Sequence, residues 1–327
     1  MRVLLVLALL AACERVAPPA APAGQGLVAG NPLLARPDAR QAVAHRGTRR
    51  LEFPAVAGAA SSYRERITTD GQGGFALEPL DAHLASAGEW VEFELVQRVR
   101  EGFLFRYRDF AVRDPERFAR NWSTSTLPRT EVVAGRDCAL YRVERRQGEP
   151  RAFELALEPE SGLILASREY DAGGRLVAEM RYETLQLAPD LSAVAWHQSG
   201  NLERPVDVPA LATELGVRCL EPRLLPAGYG PFEVATVQDD EGTTWLKRTY
   251  SDGIETLFFL QALERASRST GAASAGAGVQ DVEAGKVMVF ELGSARAVQG
   301  RVEGFRILAV GKVGETELLD LVESALP

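Results

Sequence analysis

Histidine is scarce in this chain of 327 residues, which limits the chemistry it can perform. The three histidines, His45, His83 and His197, lie far apart, and none is paired with cysteines or carboxylates at a metal-ligand spacing. No Gly-x-Ser-x-Gly motif or comparable nucleophile signature occurs either. The sequence therefore predicts no metal site, no cofactor and no enzymatic activity, and it points to a function in binding.

Lysine is scarce as well and occurs only at positions 247, 286 and 312. Acidic residues outnumber basic ones by 45 to 37, which gives a formal net charge of -8. A nucleic-acid-binding domain normally carries a basic stripe and a high pI. We therefore expect no nucleic-acid partner. The glycine-rich run at 70–74 lacks the Lys-Ser/Thr of a phosphate-binding loop, so it is interpreted as a hairpin turn.

A hydrophobic run long enough to span a bilayer is missing at the N-terminus, where the apolar stretch covers only residues 3–10. Leu10-Ala11-Ala12-Cys13 follows it and has the form of a bacterial lipobox. Residues 1–12 are therefore predicted to be a lipoprotein signal peptide, and Cys13 is the expected site of lipid attachment. The mature chain is then a membrane-anchored lipoprotein on the periplasmic side of the bacterial cell envelope. The alternative is an ordinary signal peptide that happens to contain a cysteine.

Residues 13–42 are rich in alanine, proline and glycine and show no hydrophobic periodicity. Such a segment buries too little apolar surface to fold, so a flexible tether is predicted. Two further cysteines, Cys138 and Cys219, remain in the chain. In an oxidising compartment an even pair can form a disulfide. Two buried free thiols are the other interpretation, and the sequence leaves both open.

The first predicted domain begins with strands at 48–53, 62–69 and 75–80. A helix is predicted over 81–110, where apolar residues recur at spacings of three and four. Gly102 interrupts this pattern, and residues 103–108 fit a strand equally well because their aromatic residues alternate. A helix start follows at Asp114-Pro115.

Aromatic residues concentrate in and just after this helical region. Two interpretations remain open, since they form either an ordinary core or one wall of an apolar cavity that takes hydrophobic ligands. The candidate cavity residues are Trp90, Phe93, Phe103, Phe105, Tyr107, Phe118 and Trp122.

Residues 130–187 are a run of short strands separated by turns at intervals of about ten residues, which is typical of an antiparallel meander. The predicted strands lie at 139–143, 153–157, 163–170 and 176–187. Alternation of apolar and polar residues leaves one face for a core. That face needs a covering helix or a bound molecule.

A proline-rich transition follows at 189–226, with a short helix over 209–215 and a domain boundary near 195–220. The second domain is predicted to contain five strands and a closing amphipathic helix over 315–326, with a mobile loop at 268–278. The strands are expected at 232–237, 244–250, 254–260, 287–292 and 305–310.

The order of motifs along the chain resembles that of the MucB/RseB type of periplasmic regulator, whose first domain has a LolA-like fold. Six stretches carry this resemblance, most of them strands ending in characteristic turns. They lie at 132–143, 158–165, 171–177, 225–229, 250–254 and 304–326.

The resemblance implies an α+β fold with a LolA-like curved antiparallel half-barrel clasping a helix, followed by a smaller α+β domain. The two domains would cover residues 43–200 and 220–327. The family also implies that lipid or lipoprotein acyl chains bind in the first domain and that an anti-sigma factor is the protein partner. We therefore expect a regulator of envelope stress signalling. A lipoprotein carrier or receptor of the LolA/LolB type and a structural envelope lipoprotein are the alternatives.

Overall fold

The computed structural model consists, in its described part, of two antiparallel sheets and three short helices. The structure describes residues 33–34, 43–54, 61–71, 75–81, 110–194, 196, 204–238, 243–263, 278–282, 285–292, 295–302 and 304–325. These fall into two compact units, one holding the described residues up to 196 and the other those from 204 onward. Each unit is built on one sheet.

The first unit contains an eight-stranded sheet with the order β3-β2-β1-β8-β7-β6-β5-β4. All neighbouring strands run antiparallel, and the meander of β5 to β8 confirms the sequence prediction. The elements are β1 His45–Phe53, β2 Ser61–Thr69, β3 Phe75–Pro79, α1 Pro115–Asn121, β4 Trp122–Val133, β5 Arg136–Arg145, β6 Ala152–Leu157, β7 Ile164–Tyr170 and β8 Leu176–Leu187.

The helix predicted over 81–110, and the alternative strand at 103–108, lie outside the described residues except for Asp81 and Phe110. Glycine occupies the tips of the hairpins as predicted. Gly162 and Gly174 have φ angles of 71° and 74°, a backbone conformation that glycine adopts without steric cost.

The first sheet is strongly curled. Strands β4 and β8 are separated by three intervening strands, so in a flat sheet they would lie about 19 Å apart. Nevertheless, Nη2 of Arg181 on β8 donates a hydrogen bond to the carbonyl oxygen of Val132 on β4 at 2.9 Å. Only a sheet that bends β4 back toward β8 permits this contact. The sheet stays open, because β3 and β4 form its two ends, and the predicted curved antiparallel architecture is confirmed.

The second unit contains another eight-stranded sheet, with the order β13-β14-β15-β16-β12-β11-β10-β9. Its elements are β9 Arg204–Pro205, α2 Val208–Leu215, β10 Gly230–Gln238, β11 Thr244–Ser251, β12 Thr256–Ala262, β13 Gly278–Val282, β14 Gly285–Leu292, β15 Ala295–Val302, β16 Phe305–Gly311 and α3 Glu315–Ser324. Strands β13 and β15 were not predicted. The third strand predicted in this domain begins two residues later than expected, because residues 251–255 form a turn.

Helix α3 covers one face of this second sheet. Its buried side chains Leu318, Leu321 and Val322 join a core that includes Phe259 and Phe305. Glu315 and Glu317 lie in its first turn, where the helix dipole favours negative charge.

Every residue of β12 is buried, so the face turned away from α3 is covered too. Two of the three lysines of the chain are enclosed in this unit. Lys247 is 4% exposed, and its Nζ lies 4.7 Å from the ring centroid of Phe258. Lys312 is 3% exposed, and its Nζ lies 3.4 Å from Oε1 of Glu255.

Candidate functional site

Helix α1 begins where the sequence predicts a helix start. Oδ1 of Asp114 accepts a hydrogen bond from the backbone N–H of Arg117 at 2.9 Å, and Pro115 occupies the first turn. The helix ends at Asn121, and Trp122 opens β4. This short turn of helix places Phe118 and Trp122, two of the candidate cavity residues, beside the sheet.

Phe118 and Trp122 belong to a buried aromatic cluster with Phe110 and Phe153. The ring centroids of Phe110 and Phe153 lie 5.4 Å apart, and those of Trp122 and Phe153 lie 5.7 Å apart. Phe118 is 1% exposed and Trp122 is 2% exposed. Both side chains therefore act as core residues at this place. The other five candidates lie outside the described residues; they are Trp90, Phe93, Phe103, Phe105 and Tyr107.

A small recess opens next to this aromatic cluster. Its cavity volume is ≈ 10 Å³, about the space that one water molecule needs. It is lined by Phe53, Phe153, Ser167, Glu169, Ala178, Glu179 and Met180. This recess is therefore too small for an alkyl chain.

Across the curl of the first sheet, Glu131, Arg168, Glu179 and Arg181 form an ionic group that we call the Glu131 cluster. Arg168 donates from Nη1 and Nη2 to the two carboxylate oxygens of Glu131 at 2.9 and 2.7 Å. Nη1 of Arg181 binds the same carboxylate. Nε of Arg168 donates to Oε1 of Glu179 at 2.8 Å. Two guanidinium groups on β7 and β8 therefore converge on one carboxylate of β4.

The electrostatics of the Glu131 cluster follow from these contacts. The hydrogen bonds from Arg168, and then those from Arg181, lower the pKa of Glu131 to about 2 although burial opposes the shift. The hydrogen bonds to Glu131 raise the pKa of Arg168 above its usual value. The sequence prediction missed this cluster, because the three strands that supply it meet only when the sheet curls.

A second polar group lies on β1, β2 and β8 and was also missed. Nε of Arg49 donates to Oε1 of Glu65 at 2.5 Å, and both residues are 1% exposed. Nε2 of His45 lies 3.0 Å from the hydroxyl of Tyr182, and the two rings meet edge to face. Strands β1 and β2 carry several polar residues in a row around Arg49 and Glu65. The alternation of apolar and polar residues therefore did not indicate that these two side chains are buried.

In the second unit, the motif Tyr250-Ser251-Asp252-Gly253-Ile254 shapes a buried turn. Oδ1 of Asp252 accepts from the backbone N–H of Ile254 at 3.0 Å and from that of Glu255 at 2.8 Å. Gly253 has a φ of 110°, which L-residues rarely adopt. Burial raises the pKa of Tyr250 to about 12. The motif therefore serves the structure of the turn.

Cys138 and Cys219 are free thiols in the structure, one in each unit. Burial, followed by the negative charges of Glu158 and Glu131, raises the pKa of Cys138 to about 11. Burial also raises the pKa of Cys219. Protonated thiols are poor nucleophiles, so neither has the character of a catalytic cysteine. Cys13, the predicted lipidation site, lies outside the described residues.

The described ranges contain no helix that is long and apolar enough to cross a membrane. Within the same ranges, no group of three or more histidine, cysteine, aspartate or glutamate side chains is arranged to hold a metal ion. The geometry of the described residues offers ionic contacts, buried aromatic side chains and sheet surfaces.

Comparisons with known proteins identify the fold. No protein-family model and no curated protein matches the sequence. Among solved structures, a chain of the Pseudomonas aeruginosa MucA/MucB complex is similar over 90% of this chain and 95% of that chain, with a TM-score of 0.50 and 16% identity.

Two further solved structures are similar at 18% identity and a TM-score of 0.49. MucB in complex with MucA(peri) matches over 90% of this chain and 94% of that chain. MucB alone matches over 89% of this chain and 94% of that chain. The similarity to the Pseudomonas aeruginosa complex spans both sheets and nearly the whole of the matched chain. This chain therefore has the two-domain α+β fold of MucB.

Proposed function

We propose that this chain is a periplasmic regulator that binds the periplasmic segment of an anti-sigma factor. The observation that supports the proposal is the extent of the structural likeness, which covers 90% of this chain and 95% of the matched chain. The similar protein was solved together with MucA, and the same two domains are available here for a comparable partner. The chain acts by binding, without catalysis.

The test is a calorimetric titration of the full chain with the periplasmic segment of an anti-sigma factor from the same genome. That segment is chosen from a gene beside an extracytoplasmic sigma factor. We expect saturable binding with a Kd below about 1 μM, or about -8 kcal/mol. A scrambled segment of equal composition is the matched control. Absence of binding, or equal binding of the scrambled segment, overturns the proposal.

We further propose that Cys13 carries the lipid that holds the protein at the membrane. The support is the order Leu10-Ala11-Ala12-Cys13 after a short apolar run. Wild-type protein expressed in a bacterial host is expected in the detergent phase of a phase-separation assay, because two or more acyl chains bind a membrane stably. Cys13→Ala is expected in the aqueous phase, and Cys219→Ser is expected to behave as wild type. A Cys13→Ala protein that stays in the detergent phase contradicts the anchor.

Binding of acyl chains in the first domain is proposed as well, and it rests on the candidate aromatic residues outside the described ranges. Delipidated protein is titrated with a fluorescent fatty acid. Phe93→Asp is expected to weaken binding at least about tenfold. Burial of each ligand methylene contributes about 0.8 kcal/mol, and a carboxylate in the binding site removes apolar contacts and costs free energy to desolvate. Phe232→Asp, at a position that is 44% exposed in the second unit, is the matched control. Equal binding by both variants, or none by wild type, overturns this proposal.

A further inference from the structure

The Glu131 cluster links β4 to β7 and β8 across the curl of the first sheet, and Arg129 of β4 also binds Glu154 of β6. Among the described strands, β4 pairs with β5 alone and lies at the end of the sheet. Four charge-assisted hydrogen bonds reach β4 from β7 and β8, three of them to the carboxylate of Glu131 and one to the carbonyl of Val132. Bidentate arginine–carboxylate contacts are among the stronger and more directional polar interactions.

An apolar floor lies behind this cluster. Cys138 pairs directly with Glu131 in the β4–β5 ladder, so the two side chains share one face of the sheet. Leu140 pairs with Ala156, and Ala156 pairs with Ala166 on the same face. All four of these apolar residues are at most 2% exposed. The inner face therefore combines a buried apolar floor with an ionic bridge above one part of it.

We propose that the Glu131 cluster is a clasp that regulates access to this inner face. When its ion pairs are closed, β4 is held toward β8 and the floor is sealed. When they are released together with the Arg129–Glu154 contact, β4 stays paired with β5 but swings away from β8, and the floor around Cys138 becomes accessible. The clasp goes beyond the binding of a partner proposed above, because it is a conformational device within one domain.

Cys138 provides a natural reporter of this opening. The full chain is treated with a small thiol-specific reagent under native conditions, and modification is followed by mass spectrometry of the peptide that contains Cys138. Cys219 lies in the other unit and serves as the internal reference in every sample. The rate for wild type is measured at low and at high salt. Screening weakens partly exposed ion pairs, so high salt is expected to accelerate modification of Cys138 and to leave that of Cys219 unchanged.

Arg181→Gln distinguishes opening from a simple change in local charge. The positive charge of Arg181 lowers the pKa of the Cys138 thiol, so removing it without opening makes the thiol less reactive. The clasp predicts the opposite sign, an acceleration of about tenfold, because two of the bonds that hold β4 are lost.

Glu158→Gln is the matched control for the negative charges. Glu158 raises the pKa of Cys138 more than Glu131 does, and its contacts in the described part of the chain include Ser161 and Arg136, which are not members of the Glu131 cluster. The change in the rate of Cys138 modification in Glu158→Gln reports the effect of removing a charge alone. The increase in that rate in Glu131→Gln is expected to be several-fold larger. Circular dichroism verifies that each variant is folded. The clasp is overturned if Cys138 is modified more slowly in Arg181→Gln than in wild type and the wild-type rate does not respond to salt. If a variant fails to fold, the salt dependence of the wild-type rate alone decides between a clasp and no clasp.

Discussion

Gly47 on β1 is fixed by what surrounds its Cα atom. A Cβ atom built there would lie 2.6 Å from the carbonyl oxygen of Thr184 and 2.7 Å from two ring carbons of Tyr182. One of these neighbours is backbone of a paired strand and cannot move alone. We expect Gly47→Ala to lower the free energy of unfolding by about 2–3 kcal/mol, the usual cost of overpacking. Urea titration measures it, and Gly173→Ala at an exposed hairpin tip is expected to change it by less than about 0.5 kcal/mol. Equal effects would contradict the crowding.

Glu131 gives a pH dependence whose sign follows from its shifted pKa. Its pKa of about 2 in the folded protein lies below the ordinary value near 4.5. The stabilisation is therefore fully present above about pH 4.5 and is lost as the pH falls toward 2. Because the carboxylate is 21% exposed, solvent screening reduces the effect to about 1–2 kcal/mol. Thermal unfolding between pH 5 and pH 2.5 should show a smaller decline for Glu131→Gln than for wild type. Parallel curves would refute the assignment.

At the scale of elements, helix α3 is buried against the second sheet and helix α2 is exposed, so shortening a leucine side chain should have different effects on the two helices. Leu321 on α3 is fully buried in the core, whereas Leu215 on α2 is 45% exposed. We expect Leu321→Ala to reduce the free energy of unfolding by about 2–5 kcal/mol, because it leaves a cavity. Leu215→Ala should cost less than about 1 kcal/mol, and denaturant unfolding compares the two. A large loss at Leu215 would indicate that α2 is packed more tightly than the structure shows.

The elements also show how far the sequence alone predicts the fold. The hairpins of the meander were predicted because Gly162 and Gly174 mark turns at regular spacing. Strand β4 was missed over most of its length, since serine, threonine and Pro128 dominate it and it lies at the end of the sheet with few buried residues. Strand β15 was missed because alanine, glycine and arginine dilute its apolar pattern. Whether such segments form strands depends on their tertiary contacts and not on the local β-propensity of their residues.

At the scale of the whole molecule, each unit keeps its own cysteine, and the two thiols remain separate. We expect both Cys138 and Cys219 to react with iodoacetamide in denatured protein without prior reduction. Intact mass spectrometry counts the added groups, and a sample reduced first is the control. A mass that changes only after reduction would show that a bridge forms between them. Without a disulfide between them, each unit is stabilised by its own core and gains nothing from a covalent link.

The candidate site was less predictable than the fold. Phe118 and Trp122 were predicted to belong either to an ordinary core or to one wall of an apolar cavity, and in the described part of the chain both are buried. The Glu131 cluster gave no signal, because its members are ordinary charged residues on separate strands. Long-range curvature brings them together, and neither spacing nor composition encodes curvature directly.

The enclosure of Lys247 and Lys312 has a practical consequence for mapping any complex of this protein. Amine-directed cross-linkers need accessible lysine side chains, and these two are 4% and 3% exposed. Because the first unit contains no lysine, footprints obtained with such reagents would not report on that unit, and they would under-represent the second unit even where a partner touches it. Carboxylate-directed coupling suits this chain better, since its 45 acidic residues outnumber the lysines fifteen to one.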